Sequence, residues 1–522
     1  MTPNEPVGSF ALVLHSHLPW LAHHGSWPVG EEWLYQSWSS SYLPVFGVLE
    51  QLASEGRTDL VTLGMTPVLA AQLDDPYCLS QFETWMGFWV ERANQLASHP
   101  DDAKRTVGQY EAKVARDCVD IFGSEWATGG STIVRRLSDS HTIELLSGPA
   151  THPFQPLLDD EIASFALAVG RNDTQLRTGC LPTGIWAPEC GYRPGLEETY
   201  AAAGVGHFMV DGPTLLHVGR STADAWTIGD TDVVAFGRDL GVTYRVWSPR
   251  KGYPGGAWYR DFHTFEYDSG IRPSRVTSTR TPSESKAPYE PLAARAAVEA
   301  DARDFVDVVR RRLTDLRAER NGKPGLVVVG YDTELFGHWW HEGPMWLDRV
   351  LRLLPEAGVK VTTLGSAISD GAVAGSASPR NSSGGSGKDW SVWAGDAVTG
   401  MVEDNDGLMR TWRKLIDDAV HSGLATTRSE VLDQLARNAL LALSSDWAFM
   451  VSKDSAAQYA RDRHRQHHRN FVRLANAVRG AVDGRHENWA TAVHIAGEQR
   501  RTDGPFGHLD GRLLGAALGG MR

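Results

Sequence analysis

The apolar run Phe10-Ala11-Leu12-Val13-Leu14 ends in His15-Ser16-His17. That is the pattern of a strand buried on both faces, with polar groups gathered at its C-terminal end. Residues 60–65 predict a second strand, and shorter ones are predicted at 143–146, 184–187, 207–211, 233–236 and 326–330. Helical periodicity separates several of them, at 161–169 and over 293–320. In the latter, Val298, Ala302, Phe305, Val309, Leu313 and Leu316 recur every three or four positions. Between about 78 and 136 the pattern is helical and polar, with Trp85, Phe88, Trp89, Ala93 and Leu96 on one predicted face. Residues 371–388 are rich in Ser and Gly and predict a mobile segment. After Val402 the chain turns helical. Leu408, Trp412, Leu415, Ile416 and Ala419 form one stripe, and Phe471, Leu474, Ala475, Val478 and Val482 another.

Strands that alternate with helices and end in polar residues predict a parallel β/α barrel with its chemistry at the C-terminal rim. A doubly wound sheet is the alternative, but no G-x-G-x-x-G or P-loop supports it. The expected division is a catalytic barrel over 1–370 with a helical insertion at about 78–136. A flexible Ser/Gly-rich loop follows over 371–400, then a C-terminal helical domain over 401–522.

Composition narrows the function. A chain of 522 residues with net charge −13 lacks the basic excess that nucleic acid or an anionic membrane surface demands. A neutral polymer makes no such demand. Trp outnumbers Phe and Tyr, 19 against 16 and 13, and many Trp residues sit beside Gly, Pro and Asp. Part of them are expected as core and part as flat platforms for sugar rings. Four cysteines without a C-x-x-C pair read as reduced thiols of a cytoplasmic protein. No run approaches the roughly 18–20 apolar residues of a membrane span, and the N-terminus lacks the basic stretch of a signal peptide.

Two segments carry the chemistry. Gly184-Ile185-Trp186-Ala187-Pro188-Glu189-Cys190-Gly191-Tyr192 and Gly330-Tyr331-Asp332-Thr333-Glu334-Leu335-Phe336-Gly337-His338-Trp339-Trp340 each set a carboxylate just past a strand, among aromatic side chains. A lone carboxylate at a strand end is more often a helix cap or an ion-pair partner. Two of them in aromatic surroundings are what cleaving and remaking a bond between sugars requires. His15 and His17, two apart on an extended segment, share one face. They are placed to bond sugar hydroxyls, to bind a metal with His152, Asp332 or Glu189 as further ligands, or to satisfy each other's neighbours in a core. The Gly- and Pro-rich stretch 238–262 predicts a surface loop whose aromatics serve binding. Trp390 and Trp393 are candidates either for a flap over substrate or for anchors of their loop.

Together these segments resemble glycoside hydrolase family 57, and within it the 1,4-α-glucan branching enzymes. The marks run in order: His15-Ser16-His17, Ala150-Thr151-His152-Pro153, the Glu189 segment, the Asp332 segment and Ser445-Asp446-Trp447. Val246-Trp247-Ser248 and Gly252-Tyr253-Pro254-Gly255 are similar to the same subfamily. The resemblance implies a seven-stranded β/α barrel, an inserted helical region and a helical C-terminal domain. It implies a retaining mechanism with Glu189 as nucleophile and Asp332 as general acid/base, and glucan held by His15, His17, His152, Arg238, Trp247, Trp390, Trp393 and Asp446. It implies an α-glucan such as amylose or glycogen as substrate, and no metal or cofactor. One stretch departs from the subfamily. Its long tyrosine-tipped loop, which shields the intermediate from water, corresponds to residues 217–232, where Trp226 is the only aromatic. Either Trp226 replaces the tyrosine, or the loop does not close and hydrolysis competes more strongly. An α-glucan hydrolase and a 4-α-glucanotransferase use the same two carboxylates and are the nearest rivals. A metal-dependent polysaccharide deacetylase built on His15 and His17, and a non-catalytic glucan-binding protein, are the rivals from other classes.

Overall fold

The computed structural model describes residues 5–27, 29–248, 252–267, 269–485 and 487–516. The expected segments 1–370 and 401–522 therefore extend, at the outer ends, beyond the described residues. Ten strands form one curled sheet: β1 (Ser9–Ser16), β2 (Val61–Met65), β3 (Ile143–Ser147), β4 (Gly184–Ile185), β5 (His207–Val210), β6 (Ala225–Ile228), β7 (Val234–Gly237), β8 (Leu326–Asp332), β9 (Lys360–Thr362) and β10 (Val373–Ala377). Their order is β10-β6-β7-β5-β4-β3-β2-β1-β8, with β9 on the N-terminal half of β1. From β7 to β8 along that order, neighbours are parallel. The two ends of this parallel run meet through a backbone bond, Asp239 N–H to Val328 O (2.8 Å), and the segment before β6 also reaches β8, Leu326 N–H bonding Ala223 O (3.1 Å).

Alternation along the strands sets what faces inward. Ala11 and Val13 of β1, Leu326 and Val328 of β8, Met209 of β5 and Phe236 of β7 belong to one buried cluster within the curl. Phe10, Leu12, Leu14, Val327 and Val329 belong to the cluster outside it. Side chains alternate with period two, so the inward set continues to His15, Asp332, Asp211 and Arg238. All four lie at or just past C-terminal strand ends. The register of β1 and β8 sets His15 directly beside Asp332.

Several expected elements differ in detail. Strand β4 stops at Ile185 because the chain turns at Pro188, which has no N–H to give a ladder. Strands β6, β9 and β10 lacked a strong enough apolar run to be predicted. The expected flexible loop 371–400 carries β10, paired with β6, and helix Ser391–Ala394. Tyr192 and Ser382 also exchange both backbone hydrogen bonds. Those backbone pairings override the Ser/Gly composition. In the insertion, helix Pro76–Ala97 buries Trp89, Ala93 and Leu96, but Phe88 is 58% exposed. It stands one residue off the buried stripe. Helices Thr399–His421, Glu430–Ala442, Ala457–Val482 and Glu487–Arg500 follow the sheet, and the two predicted stripes are buried except for half-buried Val482.

Candidate active site

The strand ends converge on a nest of rings and carboxylates. Trp186 stacks on His15 at 4.4 Å between ring centroids, and His17 stacks on His152 at 3.8 Å. His15 Nε2 and His152 Nε2 lie 3.1 Å apart. His17 bonds Thr66 Oγ1 through Nδ1 (3.1 Å) and Asp446 through Nε2 (3.0 Å). Ser445 donates to Glu189 Oε1 at 2.9 Å, and its Oγ lies 3.0 Å from His152 Nδ1. Helix Ser445–Ser452 therefore delivers two groups into a site otherwise built by the sheet.

Glu189 is held in a strained turn. Its φ of 60° and the φ of 49° at Cys190 are left-handed, a conformation that costs non-glycine residues energy and persists only where surroundings impose it. Here the Gly384 N–H bonds Glu189 O at 2.6 Å, and the Cys190 N–H bonds Ala187 O at 2.8 Å. Gly191 completes the turn, since a Cβ there would lie 2.6 Å from the Phe154 ring. His152 also has a positive φ, 56°.

Charge is arranged unevenly over the carboxylates. Burial first, then the charges of Asp446 and Asp332, push Glu189 up to about 8, with the Ser445 hydroxyl opposing them. Burial raises Asp332 above the ordinary carboxylate value, against the pull of Arg238 and His17. Burial pushes Asp446 the same way, but the charge and hydrogen bond of His17 outweigh it and hold Asp446 below the usual range. Burial and neighbouring rings hold His15 and His152 well below the ordinary imidazole value. Among the described residues Asp332 accepts no side-chain hydrogen bond, so Glu189 alone of the pair has a donor.

Arg238 bonds fully buried Asp211 through Nε at 3.1 Å, and Lys388 Nζ pairs with the other Asp211 oxygen. Arg238 packs where Gly330 leaves room, its Cδ 3.2 Å from the site a Cβ would take. Behind Asp332, Glu334 accepts the Tyr42 hydroxyl (2.5 Å) and the His17 N–H (3.1 Å). Tyr42 ends a π-helical turn, Trp38–Tyr42, a feature that recurs at functional sites.

The sequence candidates fall into three groups. Glu189, Asp332, His15, His17, His152, Arg238 and Asp446 are brought together. Trp247 is 39% exposed beside Trp339, centroids 5.7 Å apart. Trp390 is half-buried and its indole N–H bonds Ser382 O (3.2 Å), while Trp393 is 2% exposed and stacks on Phe154 at 4.7 Å. The burial of Trp393 fits an anchor of the loop and not an exposed flap. In the loop after Arg238, Tyr253 and Tyr259 are buried against helix Pro291–Glu319 through Asp304 and Asp301. Those two do not present themselves to a ligand.

Trp226 stands apart. It lies in β6, its indole N–H bonded to Ser221 O (2.8 Å) and the Arg220 guanidinium 4.8 Å over its ring. It packs on the cluster of Leu167, Tyr200, Phe208 and Ile228. The expectation that it tips a shielding loop is corrected, because pairing with β7 and β10 fixes it in the sheet. Four residues of the site escaped sequence reading. Asp211 ends a predicted strand with inward parity and was legible in principle; Lys388, Ser445 as a partner of Glu189, and Tyr42 arrive from distant segments and left no local signal.

The family model for glycosyl hydrolase family 57 matches residues 11–374. The chain belongs to this family. A second model, for the C-terminal region of 1,4-alpha-glucan branching enzyme, matches residues 409–513. The chain is 52% identical over 532 residues to a probable 1,4-alpha-glucan branching enzyme of Mycobacterium tuberculosis, covering 98% of this chain and 99% of that one. The crystal structure of the family-57 branching enzyme of Pyrococcus horikoshii superposes with a TM-score of 0.89 at 31% identity, covering 96% and 95%. The alpha-amylase AmyC of Thermotoga maritima superposes with a TM-score of 0.83 at 25% identity, covering 97% and 99%. This family-57 chain therefore shares one α/β fold, a curled sheet with a helical C-terminal region, with a transferase and with a hydrolase.

Proposed function

We propose that this protein is a retaining 1,4-α-glucan branching enzyme acting on an amylose- or glycogen-like polymer. The observation that carries the catalytic assignment is the uneven treatment of two buried carboxylates, with a hydrogen-bond donor on Glu189 and none from a side chain on Asp332. Burial raises both carboxyls, Glu189 to about 8. The Ser445 donor pulls Glu189 back toward the charged form that a nucleophile needs; among the described residues no side-chain donor opposes the rise of Asp332, which suits a general acid. Glu189 then attacks the anomeric carbon as Asp332 protonates the departing O4, leaving a glycosyl ester on Glu189. Asp332, now ionised, takes the proton of an acceptor glucose 6-hydroxyl, whose oxygen displaces Glu189 and forms the α-1,6 branch. Arg238 balances the charge that develops on Asp332, and Trp186 offers an apolar wall for the sugar ring. Trp247 and Trp390, the more exposed aromatics, are read as platforms farther along the glucan.

The relatives' names support transfer to a glucan. The parallel run from β7 to β8 supports reading the sheet as a seven-stranded barrel over 1–370, with the C-terminal helical domain after 401 completing the site. No helix among the described residues is long and apolar enough to cross a membrane. Four unpaired cysteines, three of them buried, support a reducing compartment such as the cytoplasm. A hydrolytic reading has one observation in its favour: residues 217–232 form a turn, a strand and a turn, and supply no aromatic tip to exclude water. Proton NMR of amylose treated with the purified enzyme separates the two. Growth of α-1,6 anomeric signals with few new reducing ends is expected; reducing ends without α-1,6 signals would make the protein a hydrolase.

A further inference from the structure

The ring nitrogens beside Glu189 are not free to choose their roles. In the ionised form in which Glu189 acts as a nucleophile, its carboxylate has no proton to offer, so the Ser445 hydroxyl proton is committed to Glu189 Oε1, 2.9 Å away. The Ser445 oxygen then offers only lone pairs to His152 Nδ1 at 3.0 Å, and Nδ1 must carry the ring proton. A neutral imidazole has one N–H, so His152 Nε2 is an acceptor. Its neighbour His15 Nε2, 3.1 Å away, must be the donor. That leaves His15 Nδ1 bare, in agreement with its being buried and unbonded among the described residues.

We propose that His15, His152 and Ser445 form a chain of hydrogen bonds, every one donating toward Glu189, that orients this carboxylate and holds it ready as the nucleophile. The proposal rests on the assignment of Glu189 made above. It gives the inner nitrogens of His15 and His152 to the protein and not to glucan, unlike the glucan-holding role that the family resemblance implies for them. It also explains why the sheet alone cannot complete the site: the last donor comes from helix Ser445–Ser452, 256 residues beyond Glu189. Ser445 is a positioning residue in this scheme. Its backbone N–H bonds His152 O at 3.0 Å, and that bond survives replacement of the side chain.

The test compares Ser445→Ala and Ser445→Thr with the parent on amylose, after checking that their melting temperatures match. A hydrogen bond to a charged acceptor corresponds to roughly a 10- to 100-fold fall in kcat for Ser445→Ala. KM is expected to stay within about twofold, and Ser445→Thr to recover most of the rate. A raised KM with parental kcat, or parental kinetics throughout, would overturn the proposal. The second readout needs no turnover: nitrogen NMR of 15N-histidine-labelled parent enzyme. Above about pH 8, where Glu189 is ionised, His152 is expected as the Nδ1–H tautomer and His15 as Nε2–H, and the opposite tautomers there would overturn the chain. If Glu189→Gln keeps parental turnover, the nucleophile assignment fails by itself, and the tautomers still report on the hydrogen bonds.

Discussion

Asp446 accepts a hydrogen bond from His17 Nε2 at 3.0 Å, across 429 residues of chain. The pair joins the end of β1 to the C-terminal helices and orients the ring that stacks on His152. Asp446 also accepts the Ser444 hydroxyl at 2.6 Å, so its carboxylate is held from two sides.

Asp446→Asn should therefore cost about 1–3 kcal/mol at pH 7, the range for a hydrogen bond to a charged group. Asp446 is held below the usual carboxylate range, so its stabilisation is present above the unfolded value and fades as pH falls through the folded one. Denaturant melts of parent and variant should differ by a constant amount from pH 7 down to about pH 4, and the gap should close only below that. A gap that closes already between about pH 7 and pH 5 would show that Asp446 is not held below the usual carboxylate range.

Glu189 has the opposite sign. Its proton is bound more tightly in the folded state, up to about 8, so stability from this group is fully present below the unfolded value near 4.5 and is lost as pH rises through 8. Glu189→Gln should abolish turnover. It should also melt higher than the parent by roughly 1–3 °C at pH 9, with the gap closing toward pH 5. A variant that melts below the parent at pH 9 would contradict the charge crowding inferred around Glu189.

Removing Asp332 should matter most where the leaving group needs a proton. With amylose, Asp332→Ala is expected to lose roughly 100- to 10,000-fold in rate. With a glycosyl fluoride, whose leaving group departs unprotonated, release of fluoride should stay within about tenfold of the parent. Equal losses on both substrates would remove Asp332 from the role of general acid.

Trp393 and Trp226 lead to opposite expectations. Trp393→Ala removes a buried ring stacked on Phe154 and should destabilise by about 3–5 kcal/mol. Trp226 sits in β6, bonded to Ser221, so Trp226→Ala should leave the ratio of transfer to hydrolysis unchanged. That ratio is read as α-1,6 signal against new reducing ends, and a marked fall in it would restore Trp226 to the path of the acceptor.

Much of the core was legible. The apolar runs at Phe10–Leu14 and Leu326–Gly330 are strands because continuous apolar character suits a parallel strand covered on both faces. Their parity also foretells that His15 and Asp332 face the same interior. Short or polar strands were not legible. Lys360–Thr362 and Val373–Ala377 become strands only because β1 and β6 present free edges for them to pair with.

By itself, the sequence determined the two carboxylate-bearing segments, the alternation of strands and helices and the family to which the chain belongs, because each of these is written in residues adjacent along the chain. Tertiary structure alone decided which carboxylate receives a donor. Ser445, Lys388 and Tyr42 meet Glu189, Asp211 and Glu334 across intervals that no local pattern spans. It also set Trp226 in β6 and buried Trp393 against Phe154. Hydrophobic period and turn chemistry fix a side chain's direction within its own element, but its neighbours across the fold depend on how the elements pack.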